Sequence, residues 1–505
     1  MIKNKQAEQL IQKQSTDSLI TDACLSQNNF TAIWGKQDNK TIKDIGWFYA
    51  PNNQKIINEI EQFINREKIQ IFSKILFLGI GGATITAEIL LHLLPKSAQS
   101  KFKILDNIDA CELDSISRNI DIDKTLFVIM SKSGNTIETL SQLSFFWKFF
   151  PNGKNYIAIT ESKSTLYDFA INNNFLQIFE CPKNIGGRFA SLSYLGIVPA
   201  LLMNINVKEI MQNVQNIKKT YVNTPNSHDS IALGRYLASA INKNIQNVII
   251  IIPEKLLFFG KWIEQMIAES LGKNSLGITP LIYFDSDIKN INYKNSIVIN
   301  YVKNTSKKFN CPKLTLSLNS EMNIGSQIYM WQIAIAYSGQ LLQINPFNQP
   351  DVEKVKINPT NISKVKKNNN FDNLNYEFLQ KVKTIGTCLH ILSFGQKDNN
   401  YIKKLIKKKK QLETILKVPV NIQYAPRYLH SVGQLHKSGK TGDNFIFIDN
   451  IKKNNTNIPG YDFSFSDISY AQFNNDARYL QEIKKNITIT QIDELVSIIN
   501  HFNKN

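Results

Sequence analysis

Short apolar runs alternate with stretches of helical spacing along most of this chain, and that alternation limits the possible folds more than any other feature. From residue 75, Ile75-Leu76-Phe77-Leu78, Lys103-Ile104-Leu105, Leu126–Met130 and Tyr156-Ile157-Ala158-Ile159 read as strands with helices between them. Strands that alternate with helices form a parallel sheet covered on both faces, an α/β fold. The pattern returns with a long helix near Ser230–Ile241 and strands at Asn247–Ile252, Leu281–Phe284 and Ser296–Ile299, before a helix over Ile328–Leu342. It returns a third time with strands at Cys388–Ser393, Val418–Gln423, Asn444–Ile448 and Ile487–Thr490 and helices over 400–416, 466–485 and 491–502. Residues 1–50 read as an amphipathic helical arm, with Leu10, Ile11, Leu19 and Ile20 spaced for one face. Asn223-Thr224-Pro225-Asn226 reads as a linker, and the Lys/Asn-rich 366–375 segment as a loop. The chain therefore divides into an arm at 1–50, α/β domains at 51–222 and 229–356, and a C-terminal α/β region at 357–505.

Ligands of such sheets sit beyond the carboxyl ends of the strands. Two loops in the first domain lie at such ends. Gly79-Ile80-Gly81-Gly82-Ala83-Thr84 follows the first strand, and Ser131-Lys132-Ser133-Gly134-Asn135-Thr136 follows the third and opens a helix. Hydroxyls, backbone N–H groups and a helix N-terminus together make a phosphate cradle. The glycine loop lacks the last residue of the dinucleotide fingerprint, having Thr84 there, so a close approach of a sugar suits it as well as a nucleotide.

Three further segments carry chemistry. Arg188 beside Gly186 and Gly187 can aim a guanidinium at an oxyanion. In Phe259–Lys273, helical spacing puts Gln265 and Glu269 on one face, with the small residues Ala268 and Ser270 around the carboxylate, an arrangement suited to a general base. Asn345-Pro346-Phe347-Asn348-Gln349-Pro350 is a proline-stiffened turn that leads to Lys356 at the start of another helix.

The formal charge of +18 is spread over the whole length among asparagines and isoleucines. The dense run Lys403–Lys410 alternates with Leu405, Ile406, Leu412 and Ile415 at helical spacing, so it reads as a solvated helix face and nucleic-acid binding is not expected. The five cysteines are scattered, with no Cys-x-x-Cys, which argues against a disulfide framework or a zinc site and for a reducing, cytoplasmic setting. No apolar stretch is long enough to cross a bilayer, so no membrane partner is expected.

In order along the chain, Gly79-Ile80-Gly81-Gly82, Ser131-Lys132-Ser133 with Thr136, Gly186-Gly187-Arg188, Glu269-Ser270-Leu271-Gly272-Lys273 and Phe347-Asn348-Gln349 through Lys356 resemble the glucose-6-phosphate isomerase family. The segment Arg427–Gly439 is similar to the isomerase half of bacterial transaldolase/glucose-6-phosphate isomerase fusions. The resemblance implies two sugar-isomerase (SIS) type three-layer αβα domains, at 51–222 and 229–356, and a homodimer. It implies interconversion of glucose 6-phosphate and fructose 6-phosphate through an enediol(ate), without a cofactor or catalytic metal. Glu269 is then the base, Arg188 the oxyanion stabiliser, and Lys356 with His436 the ring-opening pair. Gly81, Gly82, Ser131, Lys132, Ser133, Thr136, Gly187 and Gln265 are then the substrate-binding residues. The chain departs from the family at Ala83, where a serine is usual, and in having no histidine between Glu269 and Lys356; His430 or His436 are the candidates left for that role. Two other readings are compatible with these residues: a non-enzymatic sugar-phosphate-binding regulator, and an isomerase that also accepts mannose 6-phosphate.

Overall fold

The computed structural model describes residues 1–11, 34, 45–290, 294–303, 305, 309–318, 320–355, 362, 372–439, 442–452 and 456–502. Three sheets organise them. The first contains β2 (Lys74–Gly79), β3 (Phe102–Leu105), β4 (Thr125–Met130), β5 (Tyr156–Thr160) and β6 (Gln177–Glu180) in the order β3-β2-β4-β5-β6, all parallel. The second joins β7 (Asn247–Ile251), β8 (Thr279–Tyr283), β9 (Ser296–Asn300) and β10 (Lys313–Thr315) in parallel. The N-terminal strand β1 (Ile2–Lys3) closes its edge in the antiparallel sense. The third has the order β12-β11-β13-β14, again parallel, from β11 (Leu389–Gly395), β12 (Val420–Tyr424), β13 (Asn444–Asn450) and β14 (Asn486–Thr490).

The expected strands all form, and the reason is visible in β4, where all six residues are buried. A strand covered on both faces must be apolar without alternation. The helix expected at Ser230–Ile241 spans Asp229–Asn242, and the one expected at Ile328–Leu342 spans Ile324–Leu341. Leu10 and Ile11 are buried on the Lys5–Ile11 helix as the arm's spacing requires; Leu19 and Ile20 lie outside the described residues.

Packing ties the sheets together. One apolar core joins Ile75, Phe77, Leu126 and Val128 of the first sheet to Val248, Ile250, Ile297 and Ile299 of the second. The opposite face of the first sheet, at Leu76, Leu78, Phe127 and Ile129, shares a cluster with Phe465, Ile468 and Ala471 of the C-terminal helix Phe465–Glu482. The third sheet's Leu392 and Phe394 pack with Ala268 of the Leu257–Leu271 helix and with Val432 and Leu435. The C-terminal region is thus seated against both earlier sheets. The Lys403–Lys410 run lies on the Asn399–Leu416 helix, where Leu405 and Leu412 are fully buried and Lys403, Lys404, Lys407 and Lys410 are exposed.

Candidate active site

The loop after β4 is shaped before any ligand enters it. Ser131 Oγ donates to Thr136 Oγ1 at 3.1 Å and accepts the Gly134 N–H at 3.1 Å, so this hydroxyl is engaged in holding the loop. Gly134 has φ +65°, and a Cβ there would lie 2.0 Å from Ser164 Oγ, so glycine is required by both conformation and space. Ser133 is exposed, and Thr136 caps the Ile137–Phe149 helix without a side-chain bond to it. Both hydroxyls therefore stand at a helix N-terminus, where an anion is stabilised by the helix dipole. The Lys132 ammonium pairs with Glu161, leaving its backbone as the part that belongs to the loop.

The glycine loop has a different task. Gly81 has φ +62°, and a Cβ there would meet His430 Cβ at 2.8 Å and its carbonyl oxygen at 2.9 Å. A Cβ on Gly82 would lie 3.0 Å from Gln265 Nε2. The two glycines let a C-terminal turn and a helix from the second unit close on the first sheet. A Cβ on Gly187 would meet nothing within 4 Å, so packing does not require glycine at that position.

Gln265 is the junction. Its Nε2 donates to Glu269 Oε2 at 2.9 Å and to the His430 carbonyl at 2.9 Å. His430 Nε2 in turn lies 2.7 Å from Glu138 Oε1, and Gln472 Nε2 donates to the same oxygen at 2.6 Å. Glu138 sits in the first turn of the helix that follows the hydroxyl loop. Three contacts therefore lead from that helix to Glu269. The His430 side chain is 30% exposed while Glu138 is 2% exposed, so the imidazole faces open space from a buried anchor. Burial works against ionisation of Glu138, but the His430 charge and the bonds from His430 and Gln472 prevail and hold its carboxyl below the usual range.

Glu269 is buried near the end of the Leu257–Leu271 helix. Burial raises its pKa above the ordinary carboxylate value, against the opposing pull of the Arg188 charge, the Gln265 bond, His430 and Lys273. Arg188 Nη1 lies 3.8 Å from Glu269 Oε2. The guanidinium is otherwise built into the frame. Nε donates to Ser270 Oγ at 2.8 Å, Nη1 to Gln349 Oε1 at 2.7 Å, and Nη2 to the carbonyls of Pro346 and Asn348 at 2.6 and 2.9 Å. Lys273 clamps the same turn, donating to the Asn345 carbonyl at 2.6 Å and to Asn348 Oδ1 at 3.0 Å. Burial pushes its ammonium far below the usual lysine pKa, and the Arg188 charge adds to this. Gln434 holds the turn from the far side, accepting from the Asp351 N–H at 3.0 Å and donating to Asp351 Oδ2 at 2.7 Å.

His436, expected as a ring-opening residue, is elsewhere. It is fully buried on the Gly433–Ser438 helix, against His390 with ring centroids 4.7 Å apart and Phe445 at 5.0 Å. Its burial in the third sheet's core removes it from the group formed by Gln265, Glu269 and Arg188; His430, the other candidate, adjoins that group. The Pro350–Lys354 helix begins directly after Gln349 and ends before Lys356, which lies outside the described residues.

Several participants were not legible in the sequence. Glu138 stood in view beside the hydroxyl loop, but its partner Gln472 is 334 residues away. Arg427 binds Glu88 through Nη1 at 2.8 Å and Nη2 at 2.5 Å, and Asp106 through Nη1 at 2.6 Å. Two carboxylates, Glu88 on the Ile85–Leu93 helix and Asp106 directly after β3, thus share one guanidinium. Burial, opposed by Arg427, leaves the Glu88 carboxyl raised to about 7.

Residues 37–293 match the family described as Phosphoglucose isomerase, a stretch that includes both loops, Arg188, Gln265 and Glu269 and ends before His430. The chain is similar to a probable glucose-6-phosphate isomerase of Methanococcus maripaludis, with 30% identity over 341 residues, covering 56% of this chain and 76% of the relative. It is also similar to the glucose-6-phosphate isomerase of Methanocaldococcus jannaschii, with 27% identity over 380 residues, covering 65% and 91%. Among solved structures, a glucose-6-phosphate isomerase from Chlamydia trachomatis superposes with a TM-score of 0.52 at 18% identity, over 69% of this chain and 81% of that one. A hypothetical protein from Thermus thermophilus superposes with a TM-score of 0.56 at 19% identity, over 65% and 91%. With the family match spanning half its length and the family's motifs drawn around one buried glutamate, this chain belongs to the phosphoglucose isomerase family.

Proposed function

We propose that this protein interconverts glucose 6-phosphate and fructose 6-phosphate, with Glu269 moving the proton between C1 and C2. The observation that carries this reading is the Gln265 junction, which sets a buried carboxylate beside Arg188 and joins it through His430 to the helix of the hydroxyl loop. The phosphate docks on Ser133, Thr136 and the backbone of 131–136, which pins the sugar by a non-reacting group. His430, steadied by Glu138, exchanges a proton with the ring oxygen as the sugar opens. Lys356 is assigned to the same step. Glu269 then takes the C2 proton of the open aldose, the electron pair forms the enediolate, the hydroxyl proton of O2 passes to O1, and the same carboxyl returns the carbon-bound proton to C1. The guanidinium of Arg188 is held by four bonds, so it offers its charge from a fixed position to the developing oxyanion. A raised carboxyl pKa suits a base that must accept and then release a proton.

Coupled turnover of fructose 6-phosphate tests the reading. Glu269→Gln is expected to lower kcat by about 10²-fold or more while substrate still binds. Turnover near that of the wild type would remove Glu269 from the role.

We assign residues 51–222 and 229–356 as the two sugar-isomerase domains and 357–505 as a unit that completes the site. No helix among the described residues is long and apolar enough to cross a membrane. A cytoplasmic homodimer is the assembly proposed, and light scattering on the purified protein tests its stoichiometry.

A further inference from the structure

Cys388, just before β11, His390 on that strand, and Asp443, just before β13, meet at the amino-terminal end of the third sheet. All three are buried, and one donor atom from each lies within 4.8 Å of the others. His390 Nε2 is 3.1 Å from Asp443 Oδ2, which also accepts from Thr279 Oγ1 at 2.9 Å. His436 packs on His390 with ring centroids 4.7 Å apart, and both its ring nitrogens are buried without a hydrogen-bond partner. His390 Nδ1 is in the same position. A buried nitrogen without a hydrogen-bond partner is costly, and three of them in two adjoining rings ask for a partner. A bound cation can satisfy one nitrogen of each ring.

We infer that Cys388, His390 and Asp443 form a structural binding site for a divalent transition-metal ion, of which zinc fits best, with the adjoining His436 ring placed to supply a fourth ligand by a small movement. A thiolate, an imidazole and a carboxylate are donor types of tetrahedral zinc, and they do not suit the all-oxygen preference of magnesium and calcium. The thiolate and carboxylate would balance the charge of a divalent ion. Of the surrounding cations, Lys437 is paired with Asp476 and Lys409 with Glu413, while the Lys485 ammonium donates to the Gly439 carbonyl and its charge acts on Asp443, so a bound ion would displace that interaction. Cys388 shares an apolar cluster with Ile249 and Ile251 of β7 and Leu281 of β8, and Thr279 opens β8. The ion would therefore fasten the third sheet to the second. It lies at the opposite end of the third sheet from the Arg427–His430 turn, which follows the carboxyl end of β12. The sequence conceals this set because only Cys388 and His390 are near neighbours, and His436 and Asp443 come from two later segments.

Elemental analysis of the full-length protein purified from zinc-supplemented cells, without a metal-affinity tag, tests the site. Roughly one zinc per chain is expected. Adding cobalt to the chelator-treated protein should produce a near-ultraviolet thiolate-to-cobalt absorption. Cys388→Ser should abolish that band and the zinc, while Cys111→Ser, at an exposed thiol, should leave both intact. Metal-free wild-type protein with no cobalt band overturns the site, as does metal retained by a Cys388→Ser/His390→Ala double variant. If the variants fail to fold, the wild-type metal content and cobalt spectrum still decide the matter, and neither depends on isomerase turnover.

Discussion

Replacing Gln265 by Met tests how the base is tuned. Met keeps the length and helix propensity of the side chain and removes the N–H that bridges Glu269 and the His430 carbonyl. That donor favours the ionised carboxylate, so its loss moves the Glu269 pKa upward, further from the ordinary value that burial has already raised. A hydrogen bond to a charged group contributes about 1.5–3 kcal/mol. At about 1.36 kcal/mol per pKa unit, the shift should be roughly one to two units. Arg188 remains 3.8 Å from the carboxylate and continues to favour ionisation, which points to the lower end of that range. The assay is kcat/KM for fructose 6-phosphate between about pH 5 and pH 9, coupled to an NADP-linked dehydrogenase kept in excess. The acid limb should move up by about one unit, so that below the limb the variant is about tenfold slower than the wild type. Any drop of the plateau reports lost substrate contact and is read separately. An acid limb that stays in place, or moves to lower pH, refutes the assignment of Glu269 as the base that Gln265 tunes.

Ser133→Ala combined with Thr136→Ala should raise KM by about 10²-fold or more, because each lost bond to a charged phosphate is worth about 1.5–3 kcal/mol, and should leave kcat nearly unchanged. An unchanged KM would move the phosphate elsewhere. His430→Ala should lower kcat with cyclic substrate by about 10²-fold, the low end for loss of an acid–base group, while His436→Ala should retain the wild-type kcat per folded enzyme. The reverse order would return ring opening to His436.

The strands were legible because burial on both faces leaves a run of apolar residues that polar sequence on either side cannot imitate. The strand that escaped, β6, is an edge strand with a single buried residue, Phe179, in the pattern intermediate-intermediate-buried-exposed. Likewise β10 is three residues long and only its Leu314 is buried. Glu269 and Gln265 could be paired from their spacing because one helix sets their geometry. The choice between His430 and His436 could not be made that way. Both lie in one short segment, and the third sheet's packing decides which imidazole faces out. His436 falls on the Gly433–Ser438 helix beneath Phe445, and His430 on the preceding turn beside Gly81. The Glu138–Gln472 contact has no local signal at all, since residues 334 positions apart create it.

The third sheet is more than an appendage, because what it contributes to the site depends on where it is fixed. It supplies His430, the carbonyl that Gln265 reads, Gln472 behind Glu138, and Gln434 behind Asp351. Apolar packing alone would hold these groups loosely in angle, since buried area has no direction. Arg427 provides the direction. Standing three residues before His430, it binds Glu88 with both terminal nitrogens of its planar guanidinium and also reaches Asp106. A half-buried cation between two carboxylates adds little net stability once desolvation is counted, yet it permits a single orientation of the turn that carries it. Gly81 completes the constraint from the other side, because any side chain there would push the His430 backbone away from Gln265. Orientation at the active site is therefore set by one ion-pair cluster and one glycine, while the three cores supply the affinity between sheets.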